Sequence, residues 1–490
     1  MTSDHCRTRE FLAQIWAALD GHAGDLDRVT VTGDSALRSA FAVTDLAAAG
    51  FGAAGLALSR LVATEGGTPP TVRVDRTLSS GWFDLPVGPS LPLTPQPSRP
   101  LSTTHPWMTE FRTADDRWLR VQGLFPRLRA RIAGALGVAE DPEAVAAKVA
   151  GHDADEIEQV LVDGGAAVAA SRSLAEWRAH PQARAVAAEP LVAVEPGGES
   201  PESWRPTPGR PLAGIRVLDL TRVVAGPMGT RFLAACGAEV LRLDAPDADE
   251  TTWRGGGTDV GLGKRWAVLD LRTAEGWRRF LDLLAGADVL VHGYRPGAID
   301  GLVPPDVRAA VRPGLVEVAL NAYGWTGPWR DRRGFDTLVQ FSTGLADETT
   351  SWALEDPGTR TPINALGRLV PPDRPRHLPV EALDFATGYQ VAAAAINGLT
   401  RRLTTGLGSV SRLSLARTAA LLADAGRPAE EPPIDLPLLG PTEDRVYATP
   451  HGPVRRLRFP VEIDGNPLFW ERPYEAVGSS TPQWSATPPA

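Results

Sequence analysis

Between residues 212 and 320 the chain alternates short apolar runs with stretches of helical periodicity. Ile215–Leu220, Ala238–Leu243, Ala267–Leu271, Asp288–His292 and Leu315–Ala319 read as strands. Gly229–Ala235, Ala274–Leu284 and Pro304–Val311 read as the helices between them. This alternation predicts an α/β class with a parallel sheet covered by helices on both faces, a Rossmann-like layer. Earlier in the chain, Phe11–Leu19 and Asp45–Val62 carry helical periodicity and Thr71–Val74 a strand. The turn Thr113–Arg117 precedes the strand Trp118–Val121, and helical patterns follow at Leu124–Leu136, Pro142–Val149, Ala154–Val162 and Ser173–Arg178. Proline-rich breaks divide the whole into a helical segment 1–105, a small α+β unit 106–195, a linker 196–211, a Rossmann-like domain 212–426 and a Pro-rich segment 427–490 packing back on it. There is also an internal echo. Val43–Phe51 and Ala382–Tyr389 each place an Asp before a small-residue helix; two alanine-rich helices can match by chance, and a fold partly present twice is the alternative.

Composition narrows the function. With 490 residues, 43% hydrophobic and 22% charged, the chain has ample sequence for several packed domains. The net charge of −9 gives no field for nucleic acid, and a phosphate-bearing ligand needs locally clustered cations. Those are arginines, since Lys148 and Lys264 are the only lysines. Two cysteines, Cys6 and Cys236, build no disulfide framework and lie in no metal-ligand spacing, so a cytoplasmic protein without a metal is expected. Asp4 and Glu10 break the start of the chain, which does not read as a secretory leader. Alanine-rich apolar runs fall short of the ~18–20 residues of a membrane span, so no membrane partner is expected.

Two nucleotide motifs fail. Gly255–Gly257 and Gly261-Leu-Gly-Lys264 lack the Gly and Ser/Thr positions of a phosphate loop, which are Thr258 and Arg265 here. Thr221–Thr230 lacks dinucleotide glycine spacing. What stands in order instead is Ile215–Pro227, Gly237–Asp244, Gly263–Arg272, Ala287–Gly297 and Gly324–Pro328 followed by Gly334-Phe-Asp336. These five motifs closely resemble the family III CoA-transferases, the CaiB/BaiF group that includes formyl-CoA transferase, carnitine CoA-transferase and the α-methylacyl-CoA racemases. Trp118–Leu191, with His180-Pro-Gln182, is similar to a part of that family that follows its Rossmann-like block, yet here precedes it. Thr449–Trp484 is similar to the family's closing segment, so the chain reads as a fused or permuted member.

The resemblance implies an enzyme that moves CoA from an acyl-CoA to a carboxylic acid, with CoA as substrate, no permanently bound cofactor, and a homodimer. Its nucleophile is an Asp at the start of a small-residue helix, and the matching position is Asp384, where helix-start amides are expected to stabilise an anhydride oxyanion. Asp45 is the rival. A plain helix cap is the structural alternative for Asp384. The resemblance places CoA against Val224, Ala225, Arg242, Leu269, Asp270, Leu271, Arg272, Gly293, Tyr294, Arg295, Gly334, Phe335, Asp336 and Thr337. Lys264 and Arg265 join this set as cations expected at the carboxyl edge of the sheet, with Arg222. Leu383 replaces the family's usual Gly and is expected to narrow access, which keeps a non-catalytic acyl-CoA-binding relative in view. Phe335 stands where racemases carry a His, and it transfers no proton, so a racemase is disfavoured. His292 is expected to be structural; Trp325 and Trp329 are candidates to wall the site.

Overall fold

The computed structural model describes residues 5–83, 90–93, 106–200, 204–248, 260–355, 374–434, 442–449 and 452–485. Gly255–Gly257 and parts of the proline-rich breaks lie outside the described residues. In the first stretch, helix α1 (Cys6–Ala18) packs on α2 (Val43–Val62), and strands β1 (Val29–Thr32) and β2 (Val72–Asp75) pair in parallel. β2 runs straight into α3 (Arg76–Trp82), capped where the Asp75 carboxylate accepts the Leu78 N–H at 2.9 Å. Contrary to expectation, α2 is long and apolar enough to cross a membrane, but 83% of its most apolar window is buried inside the protein, where it packs as a core helix.

β3 (Ser90–Pro92) precedes the small α+β unit. There β4 (Glu110–Arg112), β5 (Trp118–Val121) and β6 (Val168–Ala170) form an antiparallel sheet beside α4 (Pro126–Leu136), α5 (Pro142–Val149) and α6 (Ala154–Asp163). Leu119, Ile132, Val145 and Ile157 give the unit its own core. Then come α7 (Leu174–Ala179) and α8 (Pro181–Ala188); His180 joins them as a cap whose ring accepts the Gln182 N–H. Residues 193–199, partly expected as linker, form β7 (Ala193–Glu199).

The main sheet follows from near-continuous apolar strands, which only a layer covered on both faces can bury. Its elements are β8 (Arg216–Leu220), α9 (Ala225–Ala235), β9 (Glu239–Asp244), β10 (Lys264–Val268), α10 (Ala274–Ala285), β11 (Val289–His292), α11 (Ala298–Leu302), α12 (Pro305–Val311) and β12 (Val316–Asn321). It continues through α13 (Asp336–Ser342), α14 (Leu345–Glu355), α15 (Ala382–Thr405), β13 (Leu407–Ser414) and α16 (Leu415–Asp424). Strand order is β10-β9-β8-β11-β12-β13-β7, parallel except for β7 at the edge. α9 starts four residues before the expected Gly229, because Pro227 fits a first helical turn, where no N–H partner is lost. β10 lies three residues earlier than expected: buried Lys264 and Arg265 sit inside the strand, and the apolar pattern alone excludes them.

The echo is a structural repeat. β1, α2, β2 and α3 match β12, α15, β13 and α16: a parallel strand pair joined through a buried helix, then a capped helix straight after the second strand. β2 has an antiparallel neighbour and so does β13, but the neighbours are exchanged. β7, from the first half, lies on β13; β16 (Val461–Ile463), which follows the hairpin β14 (Thr442–Thr449) and β15 (Gly452–Leu457), lies on β2. α2 and α15 pack against each other, with Phe51 and Tyr389 ring centroids 3.9 Å apart. The end of the chain is tied back where the Trp470 and Trp484 indoles donate to the Arg231 and Leu283 carbonyls.

Candidate active site

A cavity of about 430 Å³ opens beyond the carboxyl ends of β8, β11 and β12. β9 flanks β8 on one side and β11 on the other, so the chain reverses direction across the sheet here, where open parallel sheets hold ligands. Val223, Val224, Ala225 and Gly226 line it from the turn into α9. Val223 adopts φ +64°, a left-handed conformation that a β-branched residue takes only under strain of ~1–3 kcal/mol. Beneath that turn, the buried Asp219 carboxylate accepts bonds from the Thr221 N–H at 2.9 Å, the Thr230 hydroxyl at 2.6 Å and the Lys264 ammonium at 2.9 Å. Gly293, Tyr294 and Arg295 enter the lining after β11, and Gly334 and Phe335 before α13.

Asp384 lines the same cavity from the first turn of α15 and is 8% exposed. The N-cap position of α15 is Glu381, three residues earlier, so the plain-cap reading does not describe Asp384. Two glycines bring it there. An added Cβ on Gly388 would lie 2.4 Å from the Ala225 carbonyl oxygen, and one on Gly229 would lie 2.6 Å from that of Gly388. α15 and α9 therefore touch backbone to backbone, which sets Asp384 beside Val224 and Ala225.

The Asp336 carboxylate, buried one element away, accepts the Asp384 N–H at 2.8 Å and the Gln340 amide at 2.5 Å. This corrects one expectation: the Asp384 amide at the start of α15 is taken by Asp336, not left for an oxyanion. Burial, and then the neighbouring Asp336 and Glu381 carboxylates, hold the Asp384 carboxyl well above the usual range. Asp336 is itself raised to about 6 by burial, against the lowering effect of the bonds it accepts.

The other expected residues divide. Val224, Ala225, Gly293, Tyr294, Arg295, Gly334 and Phe335 come together around the cavity; Thr337 lies on α13 behind Asp336, outside the lining. Arg242 is buried on β9, ion-paired with Asp244 and stacked 4.2 Å over Trp266. Lys264 braces Asp219 and the Pro227 carbonyl. Arg265 pairs with Glu239 and with the chain's closing segment. Leu269, Asp270, Leu271 and Arg272 follow β10, where Arg272 pairs with Asp270 and Asp247 away from the cavity. Arg242, Lys264 and Arg265 thus serve the sheet's interior and flank, because a strand's buried positions accept a cation only with its counter-charge. Asp45 also lies elsewhere: Arg76 pairs with it at 2.9 Å and the Thr8 hydroxyl donates to it. Leu383 is fully buried and absent from the lining. His292 bonds Glu317, Trp325 donates to the Leu413 carbonyl, and Trp329 packs on His180; none of the three lines the cavity.

Sequence reasoning missed four cations that do line it, Arg127 and Arg131 of α4 together with Arg332 and Arg333. Arg332 is held by Glu158 of the small unit at 2.6 Å. Arg333 is pushed down to about 10, first by burial and then by Arg295, Arg131, Arg127 and Arg222, so five arginines share one electrostatic field.

Residues 212–429 match the family described as CoA-transferase family III. The chain is 31% identical over 228 residues to the acetyl-coenzyme A transferase nodX of Hypoxylon pulicicidum, covering 44% of this chain and 35% of that protein. It is 31% identical over 221 residues to the probable fatty acyl-CoA transferase Rv3272 of Mycobacterium tuberculosis, covering 42% and 51%. A crystal structure of the hypothetical protein Rv3272 aligns with 29% identity and a TM-score of 0.36, covering 44% of this chain and 59% of that one. The chain thus spans about a third to a half of the length of these curated relatives. The stretch 212–429 is thus the part of this chain that matches CoA-transferase family III.

Proposed function

We propose that this protein transfers CoA from an acyl-CoA to a carboxylic acid, with Asp384 as nucleophile. The observation that carries the reading is one carboxylate among the described lining residues, Asp384, in a cavity whose lining is crowded with arginines. An Asp384 oxygen adds to the thioester carbonyl, the C–S bond breaks, and the CoA thiolate leaves behind an acyl-aspartyl anhydride. The thiolate then attacks the aspartyl carbonyl, which releases the donor acid as a carboxylate and leaves CoA on Asp384. The acceptor carboxylate attacks that thioester, and the returning thiolate takes the acceptor's acyl group, restoring Asp384. Every step exchanges one carboxylate or thiolate for another, so no net proton or electron is consumed. The arginines hold the carrier's phosphates, and the raised carboxyl makes Asp384 more nucleophilic once ionised. Phe335 beside the site offers no base for α-proton exchange. Because Leu383 faces the core, the access argument for a merely acyl-CoA-binding relative loses its support.

The experiment is trapping with hydroxylamine during incubation with a panel of acyl-CoAs, followed by peptide mass analysis. The expected result is a hydroxamate on Asp384 that requires acyl-CoA. Binding of acyl-CoA with no adduct at 384 for any donor overturns the catalytic reading.

A further inference from the structure

The cavity is built from two stretches of the chain, and only one of them is the segment that matches the family. The other wall is α4. Phe125 and Leu128 seat that helix in a cluster with Leu338 and Phe341 of α13, so it is docked over the cavity through apolar contact. Arg127 and Arg131 stand one turn apart on α4, and both line the cavity. Gly165, at φ +75°, leaves space for the second of them: a Cβ there would lie 2.2 Å from an Arg131 guanidinium nitrogen. Arg222, Arg295 and Arg333 approach from the turns of the main sheet.

Five guanidinium groups face one cavity, so an anion entering it is attracted by all of them, and Arg333 is pushed down to about 10 by burial and by the other four. The chain as a whole is acidic, at −9, so this concentration is local rather than a general property of its surface. A polyanion with more than one oxyanionic group is the ligand such a ring fits best.

We propose that Arg127 and Arg131 are ligand-binding residues that grip phosphate oxygens of the substrate from the small unit's side, so that residues 212–429 supply only part of the site. The assignment rests on the reading that the cavity takes CoA. It extends that reading to a helix more than 70 residues before the matched segment.

Titration calorimetry on the full chain tests it, with CoA and with inorganic pyrophosphate as separate probes. Arg127→Ala and Arg131→Ala are each expected to weaken both ligands about tenfold, and the double variant about a hundredfold, with most of the loss recovered in R127K/R131K. Arg178→Ala, an exposed arginine of the same half, serves as the control and leaves binding unchanged. Circular dichroism melts confirm that each variant is folded. Unchanged CoA and pyrophosphate binding in the folded double variant overturns the proposal. If CoA binding is unchanged but the KM of the carboxylate acceptor rises about tenfold, the two arginines grip the acceptor and the phosphate assignment falls. If the wild type binds pyrophosphate through these arginines but does not bind CoA, the CoA reading fails while the oxyanion site stands.

Discussion

Asp384 and Asp45 occupy matching places in α15 and α2, and their surroundings are opposite. Asp45 has the Arg76 guanidinium and a hydroxyl; Asp384 has two acidic neighbours and a cavity. Asp384→Asn is therefore expected to abolish transfer and also to stabilise the fold. A carboxyl whose folded value is raised takes up a proton on folding, so stability falls as pH rises through the window between its unfolded and folded values. For Asp336 that window runs from 3.8 to about 6, and for Asp384 it begins at the same place. Melting curves from pH 4 to 8 should show the wild type losing stability over that range and D384N losing less of it, with the variant melting about 2 °C or more higher at pH 7. Transfer rate should rise with pH through the same range, because the attacking group is the ionised one. Asp45→Ala should behave the other way, costing about 3 kcal/mol in urea unfolding because buried Arg76 loses one of its two described carboxylate partners and keeps Glu431, while leaving kcat of the folded fraction unchanged. An unchanged kcat in D384N would remove Asp384 from the mechanism. Sequence alone ranks the two aspartates by motif; their charge partners come from Arg76 and Asp336, distant in the chain and invisible to periodicity.

At the level of elements, the approach of α9 to α15 decides where Asp384 sits. Gly388→Ala should cost ~1–3 kcal/mol in stability and lower kcat more than it raises KM, since the added methyl drives the Asp384 helix off the Val224 turn. A loss of stability with unchanged kcat in the folded fraction would refute the positional part. Glu158 joins α6 of the small unit to Arg332 of the main domain and also pairs with Arg172. Its carboxyl is held down at about 2: the two guanidinium groups outweigh burial, the largest single influence, which acts to raise it. The resulting stability is full above about 4.5 and drains away as pH falls toward 2. Glu158→Ala should cost about 3–5 kcal/mol and flatten that acid limb, measured by denaturant unfolding at several pH values. The strands and most helices were legible because apolar runs and helical periods report burial directly. β10 and the start of α9 were not, since buried Lys264 and Arg265 read as a polar flank and Gly226-Pro227 as a turn. Arg127 and Arg131 escaped for a different reason: on a surface helix, two arginines at i and i+4 have the same pattern as a solvated face.

Across the whole molecule, the repeat gives α15 a resident mate in α2, packed along it within one chain. The resemblance to family III enzymes implies a homodimer, whereas α2 and α15 pack against each other within a single polypeptide. Light scattering is expected to report a single 52.1 kDa chain binding one CoA. Twice that mass would locate a separate outer interface. The crossed strands have a mechanical consequence. Since β7 is lodged in the sheet of the later stretch and β16 in that of the earlier one, the two halves are clasped like linked hands. A single cut between residues 200 and 212 would leave two fragments that stay together until both sheets melt.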